Sequence, residues 1–322
     1  MRSASLLATL LFFIACGGST PPSTSSSESG APQSTRNGCI SEWPLAGKAT
    51  SSGPIPLLVN SDLAPGENRL LLSLVDADGF PLGGPGWKLR AETFNLTADG
   101  CVPLATSIEI PFTWSIKEIR GFFIGPAEIP AGTEELGLSI NGTDAAGATV
   151  SIRFAAPVWP EGIALRPGDA APTGATPTAA TSEHGLAGIS TDPSPLARLY
   201  KYSAADLLAA GTPFVMVFAS PAFCVSQACG PTMDVVKAAA ERHPGALIIH
   251  VEPYIMEWNG ERMIPTLDAN MRLQANGAAS AWRLPVEPWI YTVDSNGIVI
   301  HSFEGVIGAA ELDAAIKEID AD

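Results

Sequence analysis

Two stretches crowded with Pro, Ser, Thr, Ala and Gly, residues 16–38 and 158–194, interrupt a chain that is otherwise apolar and patterned. Such composition buries little apolar surface and reads as a tether or linker rather than as part of a core. The interruptions predict five segments across the 322 residues: 1–15, 16–38, 39–157, 158–194 and 195–322. Each of the two long segments has the length of one ordinary domain. With 46% hydrophobic and 16% charged residues, the chain can fill two cores. Its net charge of −15 and its lack of any Lys or Arg run exclude binding to a phosphate backbone.

The first segment carries Arg2, an apolar run over 6–15, and Phe13-Ile14-Ala15-Cys16. A small residue just before a Cys, after a short apolar run, is similar to a bacterial lipoprotein signal. Phe13 departs from that pattern, because Leu is usual there. The resemblance implies cleavage before Cys16, a lipid on Cys16, and an extracytoplasmic protein held to a membrane by residues 16–38. Ten apolar residues are too few to span a bilayer.

With Cys16 assigned to the lipid, Cys39, Cys101, Cys224 and Cys229 remain. Four cysteines outside the cytoplasm allow three pairings. Spacing and segment membership favour Cys39 with Cys101, as a structural disulfide, and Cys224 with Cys229.

Segment 39–157 reads as short strands at 55–59, 69–75, 87–96, 107–112, 120–124, 134–140 and 149–154, separated by turn signals such as Asp76-Ala77-Asp78-Gly79 and Asn141-Gly142. Trp87-Lys88-Leu89-Arg90-Ala91-Glu92 alternates with period two, as a half-buried strand does. The pattern predicts an all-β sandwich of immunoglobulin-like type. It holds no His and only scattered carboxylates, so a binding or spacer role is expected. The sequons at Asn95 and Asn141 are ordinary turn composition.

Segment 195–322 alternates strands and helices. Ser203 with Asp206 caps a short helix that Gly211 ends. Residues 214–218 form a continuous apolar run, as a strand buried on both faces does. Met233, Val236 and Ala240 recur at helical spacing. Further strands follow at 246–251, 289–293 and 298–303, and Leu312, Ala315, Ile316 and Ile319 make the stripe of a closing helix. A buried strand running into Phe223-Cys224-Val225-Ser226-Gln227-Ala228-Cys229-Gly230-Pro231-Thr232, then a helix, then Glu287-Pro288-Trp289 opening a strand, resembles the thioredoxin-like fold. Within it, the segment is similar to TlpA-type membrane-anchored thiol-disulfide oxidoreductases. The resemblance covers about 130 residues and not the sandwich. It implies an α/β domain that exchanges disulfides with protein thiols and needs no cofactor, and a cis Pro288 packed on the redox pair.

The sequence departs from that family in placing four residues between the cysteines. Pro is tolerated in the first turn of a helix and breaks its interior, so Pro231 predicts a helix that starts near Cys229. Thr232 then occupies the position of the family's second cysteine, and Cys224 is an added loop cysteine. A helix N-terminus lowers a thiol pKa, which favours Cys229 as the nucleophile; the family's order favours Cys224. Residues 213–233 lack any charge, so the family's buried carboxylate is missing there, and His250 with Glu252 is the proton acceptor expected. Competing readings are an inert loop disulfide, a Sco-like copper site built from Cys224, Cys229 and His250 or His301, and a peroxiredoxin-like site with Ser226 three residues before Cys229. His184 and His243 read as solvated, and Trp282 and Trp289 as core or groove-lining.

Overall fold

Alternating burial closes the first half of the chain into two facing sheets. The structure is a computed structural model that describes residues 38–51, 53–97 and 100–320. The signal expected over 1–15, the lipidation expected at Cys16 and the tether up to residue 37 lie outside the described residues. The strands are β1 (Lys48–Ser51), β2 (Ile55–Leu58), β3 (Gly66–Val75), β4 (Pro81–Leu82), β5 (Lys88–Asn95), β6 (Val102–Glu109), β7 (Phe112–Ile116), β8 (Arg120–Ile129), β9 (Glu135–Thr143) and β10 (Thr149–Pro157). One sheet runs in the order β1-β10-β9-β5-β6; the other runs β2-β3-β8-β7, with β4 beside β3. Leu89 and Ala91 of β5, Leu138 and Ile140 of β9, and Leu70, Leu72 and Leu74 of β3 share one core between the sheets. The strand expected at 107–112 does not form as such: β6 ends at Glu109 and β7 begins at Phe112. Pro111 lies between them and has no N–H to give a ladder. A disulfide joins Cys39, in a 3-10 turn at Gly38–Glu42, to Cys101 beside the start of β6, with the Cα atoms 5.9 Å apart.

The second half is a four-stranded sheet wrapped on both faces. Its elements are α1 (Ala204–Ala209), β11 (Phe214–Phe218), α2 (Cys229–Arg242), β12 (Ile248–Val251), the hairpin β13 (Met256–Trp258) and β14 (Met263–Pro265), α3 (Gly277–Ala281), β15 (Trp289–Val293), β16 (Val299–Glu304) and α4 (Ala309–Asp320). The sheet order is β12-β11-β15-β16, with β11 parallel to β12 and the other pairs antiparallel. Val215, Val217 and Ile290 pack on Met233 and Val236 of α2 and on Leu312 and Ile316 of α4. Phe214, Met216 and Tyr291 pack on the opposite side against Leu207 of α1 and Trp282. Burial on both faces is why residues 214–218 read as an unbroken apolar run. The hairpin β13–β14 has no counterpart in the sequence reading.

Residues 158–194, expected to be a linker, are a packed strap. Leu165 and Ala171 enter the core beside β11 and β15, while Ala179, Leu186 and Ile189 cover the opposite one. Extended backbone laid on a core has to satisfy its polar groups, and side chains do so here. Asp62 accepts from the N–H groups of Ile163 and Ala164, Ser203 from Thr176, and Glu252 from Thr191 at 2.6 Å. The two halves belong to one compact unit. The outward face of β3 and β8, with Leu71, Phe122 and Ile124, packs on Ala228 and Val306 of the second half. Arg69 crosses the same boundary to Glu311, at 2.6 and 2.7 Å, and to the carbonyls of Glu304 and Val306. Among the described residues no helix is long and apolar enough to cross a membrane.

Candidate functional site

Pro231 determines where α2 can start, and that start builds the site. The helix begins at Cys229, with Ala228 as the preceding cap, so Pro231 falls in the first turn and its missing N–H forfeits no helical bond. The first backbone bond returning into the helix runs from the Thr232 N–H to Ala228 O at 2.9 Å. The loop from β11 then brings Cys224 over this end of α2, and Cys224 and Cys229 form a disulfide, Cα atoms 5.9 Å apart. Gln227 turns the loop at φ 60°, in the left-handed region.

The two sulfurs are not equivalent. Cys229 is 0% exposed, in the core beneath α2, whereas Cys224 is half-buried. The Cys224 sulfur accepts the N–H of Cys229 at 3.2 Å and the hydroxyl of Ser226 at 3.2 Å. The helix N-terminal amide therefore points at Cys224 Sγ. Exposure and hydrogen bonding both favour Cys224 as the sulfur that meets a partner, against the sequence-based preference for Cys229.

The loop is pinned from two sides. Glu287 Oε1 accepts the Val225 N–H at 3.0 Å, and Glu287 O accepts the Ser226 hydroxyl at 3.2 Å. The Glu287–Pro288 peptide is cis, and Pro288 leads into the buried β15. From the sandwich, Arg120 Nη2 donates to Ser226 O at 2.8 Å. Glu287 is buried, and its carboxylate lies within 4.8 Å of both sulfurs. Burial first, and the neighbouring Glu287 carboxylate second, hold the Tyr254 phenol above its ordinary pKa.

The acceptor expected from sequence lies elsewhere. His250 is buried with both ring nitrogens engaged, Nδ1 with Tyr200 Oη at 2.7 Å and Nε2 with Ala219 O at 2.9 Å. Burial pushes its pKa down. Glu252 holds the strap through Thr191. Neither belongs to the cluster at the disulfide: the structure does not bring the expected acceptor, or the His250 of the copper set, together with Cys224 and Cys229, and Glu287 is the third group there. His301 is bonded to Thr292 Oγ1 at 2.8 Å and stacks on Phe303. His243 is not solvated but bonds Asp313 at 3.0 Å, and the exposed His184 stacks on Trp258. Trp282 and Trp289 are core. Glu287 and Arg120 escaped the sequence reading. The available signal for Glu287 was a carboxylate set directly before a Pro at the mouth of a mostly apolar strand.

No protein-family model matches the chain, and no curated protein or solved structure is detectably similar to it. The site's own surroundings therefore carry the functional argument. Val225 is 77% exposed beside Cys224, and Val286 is exposed beside Glu287. A groove of about 480 Å³ lies between this lip and the sandwich residues Leu57, Val59 and Phe122. A second, of about 510 Å³, lies on the other side with Tyr254, Met271 and Leu284. Val286 and Glu287 line both grooves, and Val225 and Ser226, which flank the half-buried Cys224 in its loop, line one each.

Proposed function

We propose that this chain is an extracytoplasmic, lipid-anchored thiol-disulfide oxidoreductase whose C-terminal half has a thioredoxin-like fold and whose N-terminal half is an immunoglobulin-like sandwich. The observation that carries the reading is the asymmetric pair: a half-buried Cys224 sulfur that accepts the first amide of α2, disulfide-bonded to a fully buried Cys229. Structural bridges have no need of one reachable sulfur aimed at by a helix N-terminus; exchange catalysts do.

In the oxidised protein a partner thiolate attacks Cys224 Sγ. The Cys224–Cys229 bond breaks, a mixed disulfide forms on Cys224, and Cys229 leaves as a thiolate that takes up a proton. A second partner thiolate attacks the partner sulfur of the mixed disulfide and displaces the Cys224 thiolate. The partner loses two electrons and gains a disulfide; this chain gains two electrons and two protons. Run backwards, the same steps reduce a partner disulfide, and Cys229 is the resolving thiol. Glu287 is the proton carrier in reach of both sulfurs. The Cys229 amide and the Ser226 hydroxyl stabilise the Cys224 thiolate in either direction.

The test is a glutathione and dithiothreitol redox titration of the full chain, read by site-resolved thiol labelling. The expected potential lies between about −100 and −270 mV, the span of known exchange catalysts. The Cys229→Ser variant should trap a partner as a mixed disulfide on Cys224, and Cys224→Ser should trap none. A potential below about −300 mV, where structural bridges lie, or trapping by Cys224→Ser alone, overturns the assignment.

A further inference from the structure

We propose that the reduced Cys224–Cys229 pair and Glu287 form a binding site for a zinc ion, so that metal and disulfide are alternative occupants of one place. The ligand atoms of these three residues lie within 4.8 Å of one another, the one such set among the described residues. A tetrahedral zinc ion with bonds of about 2.1–2.3 Å sets its ligands roughly 3.5–3.8 Å apart. Breaking the disulfide lets the sulfurs part to that spacing, and small side-chain rotations bring the carboxylate to it.

Charge makes the case stronger. Glu287 is buried, and among the described residues it has no Lys, Arg or His in ion-pair contact. Its carboxylate accepts the neutral Val225 N–H. A carboxylate so placed beside two sulfurs offers three ligand atoms in a buried pocket with no cationic side chain in ion-pair contact, a place a divalent cation can fill. The donor set selects the ion. Two thiolates suit reduced copper as well as zinc; the carboxylate oxygen is what favours zinc, which takes sulfur and oxygen ligands together. The half-buried side of Cys224 leaves the fourth position to water.

The chemistry is balanced as follows. A phosphine reductant and one water convert the disulfide to two thiols and give the phosphine oxide. The dithiol then binds Zn²⁺ and releases two protons. Metal on both sulfurs leaves no free thiolate, so zinc holds the pair reduced and silent until a stronger chelator removes it. The proposal rests on the exchange reading in one respect, that the pair opens in the folded protein.

The experiment uses the full chain, reduced with a phosphine and titrated with zinc against a chromophoric chelator, with cobalt(II) as a spectroscopic stand-in. The expected result is one zinc per chain, a sulfur-to-cobalt charge-transfer band, and protection of both Cys224 and Cys229 from alkylation. Glu287→Gln should weaken zinc by at least about 100-fold, beyond the roughly 10–100-fold cost of losing a group that merely supports a ligand. Cys224→Ser, at a half-buried position that tolerates the change, should lose binding by the same margin or more. Free thiols that bind no zinc overturn the zinc site and leave exchange standing, as does unchanged affinity in either variant. Failure to free both thiols without unfolding overturns both readings.

Discussion

Ser226→Ala isolates the one removable hydrogen bond on the Cys224 sulfur. The other donor, the Cys229 N–H at 3.2 Å, is backbone and survives substitution. The Ser226 hydroxyl has one proton and two acceptors at the same 3.2 Å, Cys224 Sγ and Glu287 O, so the sulfur holds only a share of it in the disulfide form. A thiolate competes better for that proton than a carbonyl does. A bond to a charged group contributes about 1.5–3 kcal/mol, and sharing brings this one to roughly 1 kcal/mol. That corresponds to a Cys224 pKa raised by about 0.7 in the variant. Because about 1.4 kcal/mol equals 30 mV for a two-electron couple, the potential should fall by at most about 20 mV, less where the thiolate is only partly formed. The assay is the pH dependence of Cys224 alkylation in a Cys229→Ser background, with and without Ser226→Ala, followed by the redox titration in the intact pair. Ser226→Thr keeps a hydroxyl and should restore most of the shift. Ser226 is exposed and the freed Ala228 N–H can meet water, so folding should be little affected. An alkylation pKa unchanged within about 0.2 of a unit, or moved downward, refutes the reasoning that this hydroxyl stabilises the anion.

Two further predictions concern the frame around the site. Arg69→Ala removes a bidentate partner from Glu311 and the donors to two carbonyls, at a side chain 12% exposed. Because Glu311 is 32% exposed, the loss should be about 2–4 kcal/mol, below the ~3–5 of a fully buried broken pair; urea unfolding followed by Trp fluorescence measures it, and a loss under about 1 kcal/mol rejects the pair as a clamp. His250, whose pKa burial lowers, is neutral in the fold while the unfolded chain takes up protons below about 6.5. Its contribution is therefore complete above that pH and is lost as pH falls toward the folded-state pKa. Glu304, raised by burial, contributes with the opposite sign just above its ordinary value. Comparing unfolding free energies at pH 7.5 and 5.5 between wild type and His250→Gln cancels that opposing part, and equal slopes in the two proteins would remove His250 from the account.

What could be read from the sequence follows the kind of physics each signal reports. Pro231 located the start of α2 because an imide ring is incompatible with a helix interior wherever the rest of the chain goes. The pairing of Cys224 with Cys229 followed from short spacing. Period-two alternation through Leu89 and Ala91 reported a face, and the structure buries that face. Composition was a weaker guide, since it reports chain entropy and not contact. Residues 158–194 look like a tether, yet Leu165, Ala171 and Ile189 find cores to enter. The placement of His250 and Glu252 was hidden for a related reason. His250 lies on β12, beside β11, and Glu252 just after it, but His250 turns toward Tyr200 and Glu252 toward the strap. Glu287 reaches the sulfurs from a strand that lies more than fifty residues further along the chain, a distance no local pattern spans.

The sandwich, read from sequence as a spacer or a presenting module, is tied into the chemistry of the second half. A spacer needs only a flexible joint. Here the outer face of β3 and β8 is covered by Ala228 and Val306, Ala228 directly preceding the start of α2. Arg69 grips the turn between β16 and α4, while Arg120 bonds the carbonyl of Ser226, whose hydroxyl touches Cys224 Sγ. One all-β sheet therefore supports the loop that holds the half-buried Cys224 sulfur and supplies a wall of the groove beside that loop. Hinging at residues 158–194 would have to break the Arg69 pair, the Arg120 bond and the strap's contacts together, so the wall and the sulfur move as one body. Leu57, Val59 and Phe122 of the sandwich line the same groove as Ser226 and Val286 of the second half, so both halves shape the surface beside this loop.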